Sequence, residues 1–150
     1  MLVREYCNMN VICCDPDAGT AAVASLMRRH HVGDVVVVLH NDEGMRIPAG
    51  MITDRDILLE TTALDIETKL FTAGDLMTVP VVTVFEDMDI LDALRIMRHS
   101  KIRRLPIVTR AGALFGIISA DDIINLLANE LSLMAAVLVE QTAKERHLRK

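Results

Sequence analysis

The sequence predicts an α/β fold, of the mixed α+β kind, in which one small unit of strands and helices occurs twice. Residues 50–58 read as an apolar strand, a hydroxyl residue and the start of a helix, and residues 116–124 repeat this order 66 positions later. Residues 26–30 and 96–100 match at an offset of 70. The chain of 150 residues is 51% hydrophobic but only 3% aromatic, so we expect two half-size domains around aliphatic cores.

The first copy begins with a predicted strand at 11–14 and a helix from about 21 to 31. Thr20 precedes this helix, where a capping hydroxyl belongs, and Gly33 follows it, where glycine commonly ends a helix. The continuous apolar run at 35–39 is typical of a strand buried on both faces.

The rest of the first copy is a hairpin and a second helix. A turn at 41–44 leads to a returning strand at 49–52, and a helix is expected from Asp54 to about Thr62. Residues 64–73 are polar and mixed, which predicts a connection between the copies.

The second copy repeats this order of elements. We expect a strand at 81–84, a helix at 89–100, and a hairpin of 105–109 and 113–118 that turns at Ala111-Gly112. The predicted domains are residues 1–64 and 75–130, joined by a linker at 65–74 and followed by a helical extension at 131–150.

The last helix is predicted to start at Ala120 and to run past Val139. An apolar seam recurs along it at helical spacing, formed by Ile123, Leu127, Leu131, Met134 and Leu138. The seam either completes an internal core or packs on a second subunit. We favour a second subunit, because the seam continues after the repeat has ended.

Composition restricts the classes of function. The net charge of -5 argues against a nucleic-acid surface. Uninterrupted apolar runs do not exceed Leu133–Val139, and charge appears by Arg4, so we expect neither a membrane span nor a secretory signal. The three cysteines lack CxxC spacing, which predicts reduced thiols and a cytoplasmic location (Cys7, Cys13, Cys14).

Several motifs together identify a family resemblance. The pattern Gly, two apolar residues, Thr or Ser, two variable residues and Asp occurs at 50–56 and at 116–122. Asp-Leu-Met-Thr opens the second copy at 75–78, and Arg-Arg-Leu-Pro-Ile-Val follows at 103–108. Over residues 3–130 the chain resembles a tandem pair of cystathionine-β-synthase (CBS) domains, and above all small stand-alone bacterial CBS-pair proteins.

The resemblance implies a Bateman module, in which two CBS domains pack with pseudo-two-fold symmetry. It implies an adenosine-containing ligand, such as AMP, ATP, NAD or S-adenosylmethionine, in clefts between the domains. It also implies a homodimer, formed here through the CBS helices and the C-terminal helix.

The same resemblance places the ligand groups on particular residues. Asp56 and Asp122 would accept hydrogen bonds from the ribose hydroxyls, and Thr53 and Ser119 would bind ribose or phosphate oxygens near a helix N-terminus. The base would lie against Ile52, Ile118, Thr78, Val79, Pro80 and Asn8–Asn10, and the phosphates against Arg104 and Arg55. An alternative is that the hydroxyl–Asp pairs only cap helices.

The two copies differ where the central strand starts. Asp34 aligns with Arg104, so one copy carries an acid where the other carries a base. If each phosphate is contacted from its own repeat, the Ser119/Asp122 site binds phosphorylated ligands better than the Thr53/Asp56 site.

We therefore expect a regulatory module that binds a ligand and passes its occupancy to an unidentified effector protein. The alternatives are a nucleic-acid binder that uses the basic run at 95–104 and a purely structural dimerisation module. The sequence has neither a Ser/His/Asp set nor a glycine-rich phosphate loop nor a metal-ligand motif, so we expect no enzyme activity, catalytic cofactor or metal.

Overall fold

The computed structural model describes the backbone of residues 1–148 and the side chains of residues 1–141. The mixed α/β fold with a duplicated unit is confirmed, because the structure contains two sheets of three strands each, flanked by helices. The elements are β1 (Cys13–Cys14), α1 (Thr20–His30), β2 (Asp34–His40), β3 (Arg46–Thr53), α2 (Asp54–Glu60), α3 (Ala73–Leu76), β4 (Val84–Phe85), α4 (Ile90–Ser100), β5 (Arg104–Val108), β6 (Leu114–Ser119) and α5 (Ala120–Leu148).

Equivalent contacts recur in the two units. In each sheet the central strand pairs in parallel with the first strand and antiparallel with the last. The helix after each hairpin starts by donating its first N–H to the carbonyl just before the central strand. These bonds are Asp54 to Gly33 at 3.0 Å and Ala120 to Arg103 at 2.8 Å. The repeated sequence therefore folds into two copies of one unit, as predicted.

The segment that precedes each unit packs on the other unit. Val3 is fully buried in the core of the second unit, and its N–H donates to the carbonyl of Met88 at 2.9 Å. Ala73 takes the equivalent place in the core of the first unit. The end of the predicted linker is therefore a buried contact of the first sheet.

The predicted burial of residues 35–39 on both faces is confirmed for Val35–Val38, which are 0–2% exposed, and is wrong for Leu39, which is 55% exposed near the end of the strand. Val35 and Val37 face α1 in the core of their own unit. Val36 and Val38 face the opposite sheet, in a third cluster that lies between the units. Burial of this aliphatic surface from water is the main force that holds the two units together.

The ends of the first helix differ from the prediction. Thr20 lies inside α1 and does not cap it, because its hydroxyl donates to the carbonyl of Thr68; Gly19 is the N-cap and offers no side chain. His31, rather than Gly33, adopts the left-handed conformation that closes the helix, with φ of 54°.

Helix α5 begins in the second core and then leaves the rest of the chain. Ile123 is 1% exposed, whereas Leu131 and Met134 are 67% and 66% exposed. By length and composition alone, Ala120–Gln141 would suffice to cross a membrane, with a mean hydropathy of 1.6. Its first turn is held in a protein core, and residues 127–139 span only about 20 Å, less than the ~30 Å of a bilayer interior.

Candidate functional site

A cleft of about 370 Å³ lies between the two units. The first unit contributes the start of β2, the end of β3 and the start of α2. The connecting segment before β4 and the loop before β5 form the other walls. The lining residues are Asp34, Met51, Thr53, Arg55, Thr78, Pro80, Val81, Val82, Lys101, Ile102, Arg103 and Arg104.

The alternation of β3 decides which of its residues reach the cleft. Met51 and Thr53 line it, whereas Ile52 points to the opposite face and is fully buried in the first core. Ile118 is fully buried in the second core in the same way. The expectation that Ile52 and Ile118 form apolar walls for the base is therefore wrong, and Met51 is the apolar residue of β3 in the cleft.

Thr53 and Asp56 form a reciprocal cap at the start of α2. The hydroxyl of Thr53 donates to Oδ2 of Asp56 at 2.7 Å, and the amide of Thr53 donates to the same oxygen at 2.8 Å. The amide of Asp56 in turn donates to the Thr53 hydroxyl at 3.1 Å. The carboxylate is half-buried and fixed in orientation beside the cleft.

Two further pairs form the same cap, Ser119–Asp122 and Thr72–Asp75. Thr72 and Asp75 were not expected to bind ligand, so the cap by itself is a structural device. The position of Thr53 in the cleft wall distinguishes its pair from the others.

The connecting segment is held against β3 by backbone pairing. The amide of Thr78 donates to the Met51 carbonyl at 2.7 Å. A Cβ at Gly50 would lie 2.5 Å from Sδ of Met77, which explains why a glycine occupies this position. Thr78 and Pro80 line the cleft as expected, whereas Val79 is 58% exposed and does not.

Val81 and Val82 also line the cleft, although a strand was expected at 81–84. The apolar residues at 79–82 were the sequence signal for this wall. Because β4 begins only at Val84, the valines before it are free of the sheet and line the cleft.

Three basic residues of the second unit line this cleft, Lys101, Arg103 and Arg104. Nε of Arg104 lies 2.9 Å from Oδ1 of Asp34, so the two aligned residues meet across the units. Burial raises the pKa of the Asp34 carboxyl, and the charge of Arg104 opposes that shift. Arg103 forms a separate ion pair with Asp121 at 2.9 Å. Arg104 of the second unit therefore lies in the cleft that carries Thr53 of the first, and which repeat would contact a phosphate stays a prediction.

At the positions that correspond to Arg55 and Arg104, the other repeat carries acids, namely Asp121 and Asp34. Asn8 pairs with Ile117 through two backbone hydrogen bonds of 2.9 Å, as Thr78 pairs with Met51. Among the described residues, Ser119 and Asp122 do not line the cleft, and Asp122 is exposed.

The cysteines do not form a reactive or metal-binding cluster in the described part of the chain. Burial raises the pKa of each thiol, that of Cys14 to about 11, which disfavours the nucleophilic thiolate. Within the described residues, no group of three or more His, Cys, Asp or Glu side chains could hold a metal ion.

Comparisons with known proteins agree with this architecture. The family model of the CBS domain matches twice, at residues 3–61 and 73–129, so the chain belongs to the CBS domain family. An uncharacterized protein of Methanopyrus kandleri is 37% identical over 124 residues, which cover 83% of this chain and 61% of that protein. The chain thus spans about three fifths of this relative.

Two solved structures share the fold. A CBS domain protein from Pyrobaculum aerophilum complexed with AMP has a TM-score of 0.72 and 23% identity, and the match covers 81% of this chain and 89% of that one. A CBS domain pair in complex with 5′-methylthioadenosine and S-adenosyl-L-methionine has a TM-score of 0.73 and 24% identity, covering 87% and 98%. These identities show a common fold, and the ligands are those of the two other proteins.

Proposed function

We propose that this chain is a cytoplasmic, non-catalytic regulatory module that binds an adenosine-containing ligand in the Thr53 cleft and passes its occupancy to a partner protein. The observation that carries the proposal is the composition of this one cleft, which joins the hydroxyl of Thr53, apolar walls and several cations. The carboxylate of Asp56 lies next to this lining, where it accepts a hydrogen bond from the Thr53 hydroxyl. AMP and S-adenosyl-L-methionine in related folds support the ligand class. AMP, ATP, NAD and S-adenosylmethionine are the ligands we consider.

Each part of such a ligand has a matching wall. The half-buried carboxylate of Asp56 suits a pair of ribose hydroxyls, since one carboxylate accepts two hydrogen bonds. Met51, Pro80 and Val82 offer apolar contact for a base. Arg55 and Lys101 form no ion pair among the described residues, so their charges remain available to phosphate oxygens.

A change in the cleft can reach both units, because its walls come from both. A ligand shifts the packing of the units only as far as it binds one arrangement better than another. The pairing of Thr78 with Met51 and the ion pair of Asp34 with Arg104 are the links that such a ligand would touch.

Thermal unfolding with AMP, ADP, ATP, NAD, NADH and S-adenosylmethionine tests the proposed function. A ligand at a hundred times its dissociation constant should stabilise the folded chain by about 2.7 kcal/mol. For a chain of this length the melting temperature should rise by roughly 5–10 °C. Inosine monophosphate is a matched control for recognition of the base. An unchanged melting temperature with every adenosine compound at millimolar concentration would contradict the proposal, and hydrolysis of bound nucleotide would indicate an enzyme.

The nucleic-acid alternative is weakened by the ion pairs of the basic run. Arg95 pairs with Asp92, Arg103 pairs with Asp121, and Arg104 pairs with Asp34. These carboxylates neutralise charges that a phosphate backbone would need. A steep salt dependence of DNA or RNA binding would nevertheless identify such a function.

We also propose that α5 mediates a homodimer, because its apolar side chains remain exposed beyond Ile123. Leu131→Glu combined with Met134→Glu should convert the dimer into monomers of 16.6 kDa, since two carboxylates would be buried in the contact. Sedimentation equilibrium measures the mass directly.

Asn129→Glu is the matched control for this pair of substitutions. Residue 129 lies on the opposite side of the same helix from the seam, so the added charge should leave the dimer intact. If the native chain is a monomer at micromolar concentration, or if all variants remain dimers, the proposed role of α5 is wrong.

A further inference from the structure

The ion pair between Asp34 and Arg104 joins a buried carboxylate of the first unit to a guanidinium of the second unit in the wall of the cleft. Asp34 is 8% exposed, and it stands directly opposite Thr53 in the β2–β3 ladder. Arg104 is half-buried and comes from the other unit. The carboxylate therefore lies in the wall that also carries the cap hydroxyl, and its partner crosses the gap between the units.

Asp34 is also the acidic member of a cleft wall that is otherwise basic. The other ionisable residues of the lining are Arg55, Lys101, Arg103 and Arg104. A buried carboxylate must keep a partner, because an unpaired buried charge is costly. The contact with Arg104 satisfies Asp34, and it also occupies the guanidinium that a ligand phosphate would use.

A phosphate that binds at Arg104 consequently meets an opposing group. It either shares the guanidinium with Asp34, at a distance where two negative charges repel, or leaves Asp34 buried without its partner. A neutral nucleoside encounters neither cost. The ion pair should therefore lower the affinity for ligands that carry a phosphate and have little effect on the binding of the base or the sugar.

We infer that Asp34 is a specificity-determining residue of this cleft, which disfavours phosphorylated adenosine ligands relative to uncharged ones by holding Arg104. The inference rests on the proposed function, because it concerns the ligand of the same cleft. It assigns to Asp34 a role different from that of Asp56, which would contact the ribose.

Calorimetric titration of adenosine and AMP into the native chain and the Asp34→Asn variant tests the inference. The variant should bind AMP at least about tenfold more tightly, since a like-charge contact is removed and Arg104 is released. Its affinity for adenosine should change less than about threefold, because a neutral nucleoside gains no charge contact. Asp42→Asn, which removes an exposed acid from the hairpin turn, should change neither affinity.

Asp34→Ser is measured as a second variant without the carboxylate, in case Asp34→Asn does not fold. Circular dichroism shows which of the two variants keeps the native fold. An equal change for adenosine and AMP would show that Asp34 contacts the nucleoside or merely supports the fold, and would overturn the inference. An unchanged AMP affinity would do the same while leaving the proposed function intact. If the native chain binds neither compound, the inference is wrong, whereas the proposed function is contradicted only if ATP, NAD and S-adenosylmethionine also fail to bind.

Discussion

Replacing Asp56 by alanine is expected to weaken AMP binding by about ten- to hundred-fold. The substitution removes hydrogen bonds between a carboxylate and the ribose hydroxyls, and a hydrogen bond to a charged group contributes roughly 1.5–3 kcal/mol. The carboxylate is already oriented by Thr53, so the native chain spends little entropy in positioning it. Isothermal titration calorimetry gives the change in affinity.

Asp75→Ala provides a matched control, because Asp75 forms the same cap with Thr72. Thr53, the cap partner of Asp56, lines the cleft, whereas neither Thr72 nor Asp75 does. Both substitutions should lower the stability slightly, because each removes one half of a reciprocal helix cap. Only Asp56→Ala should change the affinity for AMP. Similar affinities of the two variants would mean that the Thr53–Asp56 pair serves the fold alone.

Ile52→Ala should lower the free energy of unfolding by about 2–5 kcal/mol, which is the cost of a cavity at a fully buried aliphatic residue. Ile52 packs in the first core between the sheet and its helices. Urea denaturation followed by circular dichroism measures the loss. The folded fraction should bind AMP with nearly native affinity, since Ile52 does not line the cleft.

Met51→Ala tests the opposite face of the same strand. Met51 is half-buried and lines the cleft, so this substitution should cost less stability and more affinity than Ile52→Ala. A large loss of affinity in Ile52→Ala, with stability unchanged, would restore Ile52 as a wall of the ligand site.

The order of the elements could be predicted because the spacing of apolar residues and the duplicated motifs can be recognised within short stretches of sequence. The helix α4, for instance, was expected to start at Asp89, and the structure shows Asp89 as its N-cap, with the side chain accepting from the Leu91 amide at 2.9 Å. Strand limits were less predictable. The predicted strand at 11–14 is reduced to β1, and the strand at 81–84 is replaced by β4, because pairing with the central strand, rather than apolarity, defines these edges.

The site could be predicted only in part, for a related reason. Thr53, Arg55 and Arg104 were expected as ligand-binding residues, and the fold brings them to one cleft. Ile52 was misplaced because a motif does not tell which face of its strand is covered. The partner of Arg104 was missed because an alignment of two repeats shows that Asp34 is equivalent to it, and equivalence does not reveal that the two side chains touch.

The exchanged leading segments have a consequence for how the chain can be divided. A cut in the linker at 65–71 would separate Val3 from the core that it completes, and would separate Ala73 from the other core. Neither fragment would carry a finished interior, so each would depend on complementation by its counterpart. We therefore expect the two units to fold together, and neither unit to fold alone.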